Sequence, residues 1–302
     1  MKNAFDPKLN VTDNLRQVAA AELDAARSAL AALPGDDPHD GIHAARKAIK
    51  RLRALLRLAR PVLGKPLYRR ENVRLRDAAR RLSAVRDARA LIDTFDTLAA
   101  HYAKRIDFSR MLPLRTALAA DLVSVTLRRD QLSTSVAEVV DELEATAAAM
   151  AAWPLDDAAP KALARGLGRT HRRARKEWRQ ACEVHDPETL HAWRKRAKYL
   201  RHMYELMDGL EDAEAADHAA AFHALGDVLG EHHDLEVLRA RLDALSGNPL
   251  DAVAESELRV VLRERQDALY AQALELGAPL LSTKPKKVRR FVREMLEAAF
   301  PG

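Results

Sequence analysis

A single cysteine, Cys182, among 302 residues rules out an intramolecular disulfide and a cysteine-built zinc cluster. A lone thiol in helical sequence is expected to be a small core residue. Aromatic side chains make up only 5% of the chain, so stacking platforms for nucleic-acid bases are scarce. Met1 to Asn10 holds no apolar leader segment. Nowhere do the roughly 18 apolar residues of a membrane span follow one another, and the alanine-rich run Ala145 to Trp153 is far too short. These absences predict a cytoplasmic protein that does not engage a membrane. Sustained apolar–polar alternation, the mark of a strand, is missing too.

What is present favours helix. Ala, Leu and Arg dominate, all strong helix formers. A hydrophobic fraction of 48% beside 31% charged residues suits a folded chain with a sizeable core. Helical periodicity runs almost end to end, broken at Pro34-Gly35, Pro61 to Pro66, Pro113, Trp153-Pro154, Asp186-Pro187, Gly209, Gly247 to Pro249 and Gly277 to Pro285. The pattern predicts an all-α protein, with one helix over 114–152 and separate helices over 211–231 and 233–246.

The chain repeats itself. Residues 43–58 read HAARKAIKRLRALLRL and residues 191–206 read HAWRKRAKYLRHMYEL. At an offset of 148, His43 meets His191, Arg46 meets Arg194, Lys47 meets Lys195, Lys50 meets Lys198 and Arg53 meets Arg201. Further on, Leu82 to Asp87 aligns with Leu229 to Asp234 at an offset of 147. One single-residue gap thus keeps two separate matches in register. Two related halves, 1–153 and 154–302, are expected, each bearing one histidine-led basic motif.

Within each motif, two helix faces are legible. Ile42, Ala45, Ile49, Leu52, Leu56 and Ala59 form one apolar stripe, and Leu190, Trp193, Ala197, Leu200, Tyr204 and Met207 form its counterpart. Rotated by about 100° lies a second stripe. It holds His43, Arg46, Lys50, Arg53 and Arg57 in one half and His191, Arg194, Lys198 and Arg201 in the other, widened by Lys47, Arg51 and Lys195. From His43 through Arg60 there are seven Lys or Arg and no Asp or Glu. Like charges at such spacing repel by a few tenths of a kcal/mol per pair. A face that accumulates repulsion suits a polyanion, because Arg offers forked donors to phosphate oxygens and Lys a compact charge.

Other segments are basic as well. Arg165, Arg169, Arg172, Arg173 and Lys176 lead into the second motif, most of them on one helix face with Arg179. Arg128, Arg129 and the stretch Lys284 to Arg293 add charge, the last as an amphipathic helix whose Val288, Phe291, Val292 and Met295 should pack inward.

The pattern His-x-x-Arg-x-x-x-Lys-Arg-Leu-Arg over 43–53, with its second copy from His191 to Glu205, resembles the signature of the CHAD (conserved histidine α-helical domain) family. The resemblance implies two four-helix-bundle-like halves related by pseudo-twofold symmetry. It also implies a basic groove binding inorganic polyphosphate, and for some members an association with polyphosphate granules. Its binding residues carry over onto His43, Arg46, Lys50, Arg51 and Arg53, and onto His191, Arg194, Lys198 and Arg201. The family's usual arginine pair is Lys50-Arg51 in the first copy and Lys198-Tyr199 in the second. His202 stands where an aromatic is common, and His233 where the other half has Arg86.

Non-catalytic capture of polyphosphate is therefore the expected function, with neither cofactor nor metal. Binding of nucleic acid remains an alternative, since it too is a polyanion, although no aromatics interleave with the basic stripe. An acidic protein surface would also fit. An enzyme acting on phosphate chains is a weaker alternative: Glu142-x-Glu144 lacks a following lysine, and the basic motifs offer no carboxylates to hold Mg²⁺. His218, His223, His232, His233 and Asp234 do not share one helix face, which argues against a metal site.

Overall fold

The computed structural model describes residues 3–33, 39–156, 158–245 and 249–301, with the side chains of Val85, Arg129 and Asp130 left aside. The expected breaks at Pro34-Gly35 and Gly247 lie outside those residues, and so does the Arg129 side chain. Eleven α-helices and two short 3₁₀ turns, with no strand among the described residues, make the protein all-α. In chain order they are α1 (Val11–Ala31), α2 (His39–Leu58), α3 (Arg60–Arg81), α4 (Ser83–Tyr102), α5 (Leu112–Leu127) and α6 (Arg129–Met150). The remainder are α7 (Pro160–Glu183), α8 (Pro187–Glu205), α9 (Ala213–Ala244), α10 (Ala252–Leu281) and α11 (Pro285–Ala299).

Local chemistry sets most helix starts. Asp186 accepts from the backbone N–H groups of Glu188 and Thr189 at 2.8 and 3.0 Å, and Pro187 sits in the first turn where no donor is needed. Asp212 and Asp251 cap α9 and α10 in the same way. Two boundaries differ from the periodicity. The expected helix over 114–152 divides at Arg128, whose ψ of 53° is not helical, into α5 and α6. The expected helices over 211–231 and 233–246 are one, α9, because neither Pro nor a left-handed residue interrupts His232-His233.

Packing repeats between the halves. In the first, α1 lies against α2 and α6, and α4 against α5; in the second, α7 lies against α8 and α11, and α9 against α10. The continuous α9 thus occupies the place that α3 and α4 share. Every residue of the two predicted apolar stripes is buried, Trp193 and Tyr204 among them. Burial of such side chains contributes about 1.5–3 kcal/mol each before entropy is counted.

The hydrophobic interior does not follow the midpoint of the sequence. A large core runs from Phe5 to Phe300 and includes the buried faces of α1, α2, α7 and α8. A smaller one joins Phe95, Leu114 and Leu118 to Leu235, Leu238, Leu258 and Leu262. Both cores draw on both halves. At their join α7 comes so close to the end of α2 that a Cβ on Gly166 would stand 2.0 Å from the Leu58 carbonyl oxygen. Chain ends also meet, for the Phe5 N–H donates to the Leu206 carbonyl at 2.7 Å and its ring packs edge-on against Phe300. Cys182, expected in the core, is exposed near the end of α7.

Candidate functional site

The two motif helices, α2 and α8, pack against each other at the centre, and α4 and α9 meet beside them. Contacts across this centre are reciprocal. Arg57 stacks its guanidinium 3.7 Å over the Tyr199 ring, while the equivalents of those residues, Glu205 and Arg51, both border Glu22 of α1. Lys50 and Lys198 are equivalents of one another, so their mutual repulsion places them at the pseudo-twofold axis.

Around that axis positive charge converges. Burial first, then the charges of Arg46, Arg86 and Arg194, hold the Lys50 ammonium down at about 8. Burial together with Arg194, Lys50 and Arg86 brings Lys198 to about 7. Lys50 retains an exposed surface although protein surrounds much of it. Arg46 and Arg194 are both pushed below the usual arginine value by burial, eased by Asp87 and Asp234 respectively. Asp234 approaches Arg194 at 3.9 Å and Asp87 approaches Arg86 at 4.0 Å. Among the described residues no carboxylate forms an ion pair with Lys50 or Lys198.

A cavity of about 620 Å³ opens on this cluster, with Arg86, Arg194 and Lys198 in its wall. Gly226 and Gly230 of α9 leave room there, since a Cβ on Gly230 would lie 3.8 Å from the Lys198 Nζ. The wall also carries carboxylates, each within 4 Å of an arginine: Asp93 of Arg89, Asp227 of Arg201, Glu231 of Arg265 and Asp234 of Arg194. The leading histidines stand at the edge. Burial and the neighbouring cations lower both His43 and His191, and His191 lies 4.6 Å from the His233 ring. Burial and the charges of Arg194, His191 and Lys198 bring His233 to about 3, so it is neutral at physiological pH.

The remaining predicted residues divide. Arg53 and Arg57 continue the stripe, Arg53 donating to Asn72 Oδ1 at 3.2 Å and Arg57 to the Arg53 carbonyl at 2.6 Å. Burial brings Arg57 to about 10 against the supporting Tyr199 and Tyr68. Lys47 and Lys195 are exposed beside the histidines. Arg51 points the other way, to Glu22 at 2.9 Å and the Asn3 carbonyl. Arg201 is bound at 2.7 Å by Glu205. Glu205 is held at about 2 because hydrogen bonds from His202 and Arg201 outweigh the cost of its burial. The α7 cations lie elsewhere again. Arg165 faces α11, Arg172 and Lys176 line a separate hollow near Pro285, and Arg169 and Arg173 approach Arg60. Arg86, by contrast, joins the cluster from α4, and only its place in the duplicated Arg86-Asp87 turn pointed to it. No trio of His, Cys, Asp or Glu among the described residues is close enough to hold a metal ion.

A family model described as the CHAD domain matches residues 16–243. The chain belongs to the CHAD family. Among solved structures, the crystal structure of the CHAD domain from the plant Ricinus communis aligns with a TM-score of 0.62 at 20% identity, covering 97% of this chain and 94% of that one. At that identity the likeness establishes the shared all-α fold. No curated protein matches the chain. In this CHAD protein α10 and α11 extend past the matched segment, and no helix among the described residues is long and apolar enough to cross a membrane.

Proposed function

We propose that this CHAD protein is a non-catalytic binder of inorganic polyphosphate, which it holds in the central trough between α2, α4, α8 and α9. The observation that carries the reading is the convergence of Arg46, Lys50, Arg86, Arg194 and Lys198 about one axis, where burial first and then mutual repulsion hold the two lysines at about 8 and about 7. Five cations with only Asp87 and Asp234 beside them store repulsion that a polyanion relieves on binding. A linear phosphate chain presents charge at every residue and no base, which suits a wall without exposed aromatics. The carboxylates nearby are engaged by arginines, so they are poorly placed to act as bases or to assemble Mg²⁺ on a phosphate. Association with polyphosphate granules would follow from such binding.

Competition decides it. Labelled long-chain polyphosphate is bound to the full chain and challenged with duplex DNA, RNA and poly-glutamate at equal charge. Polyphosphate should hold its place against all three. Displacement by duplex DNA at equal charge would transfer the trough to nucleic acid, and displacement by poly-glutamate would transfer it to an acidic protein.

A further inference from the structure

A second basic concavity lies where α7 packs against α11. Its volume is about 540 Å³, and apart from Ala164 every residue in its wall is a lysine or an arginine. Lys161 and Arg165 come from α7, and Lys286, Arg289, Arg290 and Arg293 from α11. It shares no residue with the central cavity. Arg290 and Arg293 have Glu294 and Glu297 within 3.6–4.0 Å along their own helix; among the described residues, Lys161, Arg165, Lys286 and Arg289 have no ion-pair partner.

The sequence of α11 puts these cations outside by construction. Val288, Val292, Met295 and Leu296 are buried, so the opposite face must point to solvent. Neither α7 nor α11 has an acid in its first turn, whereas α8, α9 and α10 each do. Cations in a first turn oppose the positive end of the helix dipole, so both helices begin with an arrangement that favours a bound anion. The wall offers no aromatic ring for a base and no apolar patch for an acyl chain. A flexible chain of phosphates matches it better than a duplex or a bilayer.

Arg60, at the start of α3, follows directly on the motif helix α2. Arg57 of the stripe ends one turn before it, and Arg169 and Arg173 of α7 lie close enough to repel it. Basic side chains therefore follow one another from the end of the α2 stripe to α7, with Arg57 buried and Arg169 and Arg173 exposed. We infer that the α7–α11 basin is a second subsite for the same phosphate chain, so that long polyphosphate binds bivalently and short polyphosphate does not. This rests on the trough reading above. It also concerns a helix, α11, that lies beyond the matched family segment.

Calorimetric titration of the full chain tests it, using tripolyphosphate and then a long chain. A basin variant combines Lys161→Ser, Lys286→Ser and Arg290→Ser, all exposed positions, and a trough variant combines Arg194→Ala with Lys198→Ala; thermal melts establish that both are folded. Wild-type protein should take two equivalents of tripolyphosphate and each variant one. Loss of the basin should weaken long-chain binding by about tenfold or more, through lost effective concentration, while sparing the trough equivalent. Unchanged long-chain affinity in the basin variant overturns the inference with the trough reading intact. A trough variant that binds both probes as wild type does overturns the trough reading instead, and the shared chain with it.

Discussion

Two clusters of half-buried cations lie side by side along α2 and α8, and they differ in what faces them. Arg51 of α2 pairs with Glu22 of α1, and beside them Arg201 and His202 both pair with Glu205 on α8. Within one helical turn, Lys50 and Lys198 meet each other and Arg46, Arg86 and Arg194. The first cluster is matched by carboxylates; the second has only Asp87 and Asp234 at its margin, and its remaining repulsion is relieved when something negative arrives. Identical residue types on one stripe thus have opposite energetic signs, decided by a carboxylate contributed from a helix elsewhere in the chain.

The difference can be broken most forcefully from the structural side. Glu22→Ala leaves Arg51 buried without its partner and should destabilise the protein by about 3–5 kcal/mol in chemical denaturation. It should spare polyphosphate affinity once folding is restored by ligand or low temperature. Arg46→Ala with Arg194→Ala should do the reverse. Binding is expected to weaken more than a hundredfold, about 3 kcal/mol, with a shallower salt dependence and no loss of stability. Equal losses of stability in the two experiments would erase the distinction between the clusters.

A finer test replaces the lysines on the axis. Lys50→Met with Lys198→Met removes repulsion and should raise the stability of the ligand-free protein by about 1 kcal/mol while weakening binding. Titration sharpens the same point. Both lysines begin from an ordinary value of 10.5 and are held at about 8 and about 7 in the folded chain. Below pH 7 they are charged in folded and unfolded states alike, and the full cost of crowding is present. As pH rises through the folded values, the folded protein sheds protons that the unfolded chain keeps, so ligand-free stability climbs toward pH 10. Affinity runs oppositely, since the anion needs the protonated lysines. Calorimetry in buffers of different ionisation enthalpy should show proton uptake on binding at pH 8, and affinity should fall between pH 7 and 9. The smallest expected effect is a rise in Tm of a few degrees with saturating polyphosphate at pH 7, checked by scanning fluorimetry.

Much of this was legible before any coordinates. Periodicity located the core stripes of α2 and α8 down to Ile42 and Met207, because a 3.6-residue repeat needs no tertiary information to reveal a buried face. Duplication predicted pseudo-symmetry, and Arg46, Lys50, Arg194 and Lys198 fall where that symmetry brings them together. Less was readable for Arg51 and the α7 cations. Their distance along the helix from the motif was visible, but their rotation toward Glu22, Arg60 or α11 depends on how neighbouring helices cross. Arg86 was visible only as part of a duplicated turn, for a lone arginine carries no signal of its own. The continuity of α9 through His232-His233 was missed because a polar histidine pair looks like a break until its neighbours bury one of the two.

The chain by itself determined that it is all helix, that its unit is doubled, and that one stripe on each copy is loaded with positive charge. Those follow from propensity, periodicity and repetition, which act along the backbone. Only the tertiary structure decided which of those charges are neutralised. That depends on Coulomb interactions across a few ångströms between residues far apart in sequence: Glu22 with Arg51, Asp234 with Arg194, and Lys50 with Lys198 at the axis where the two halves meet.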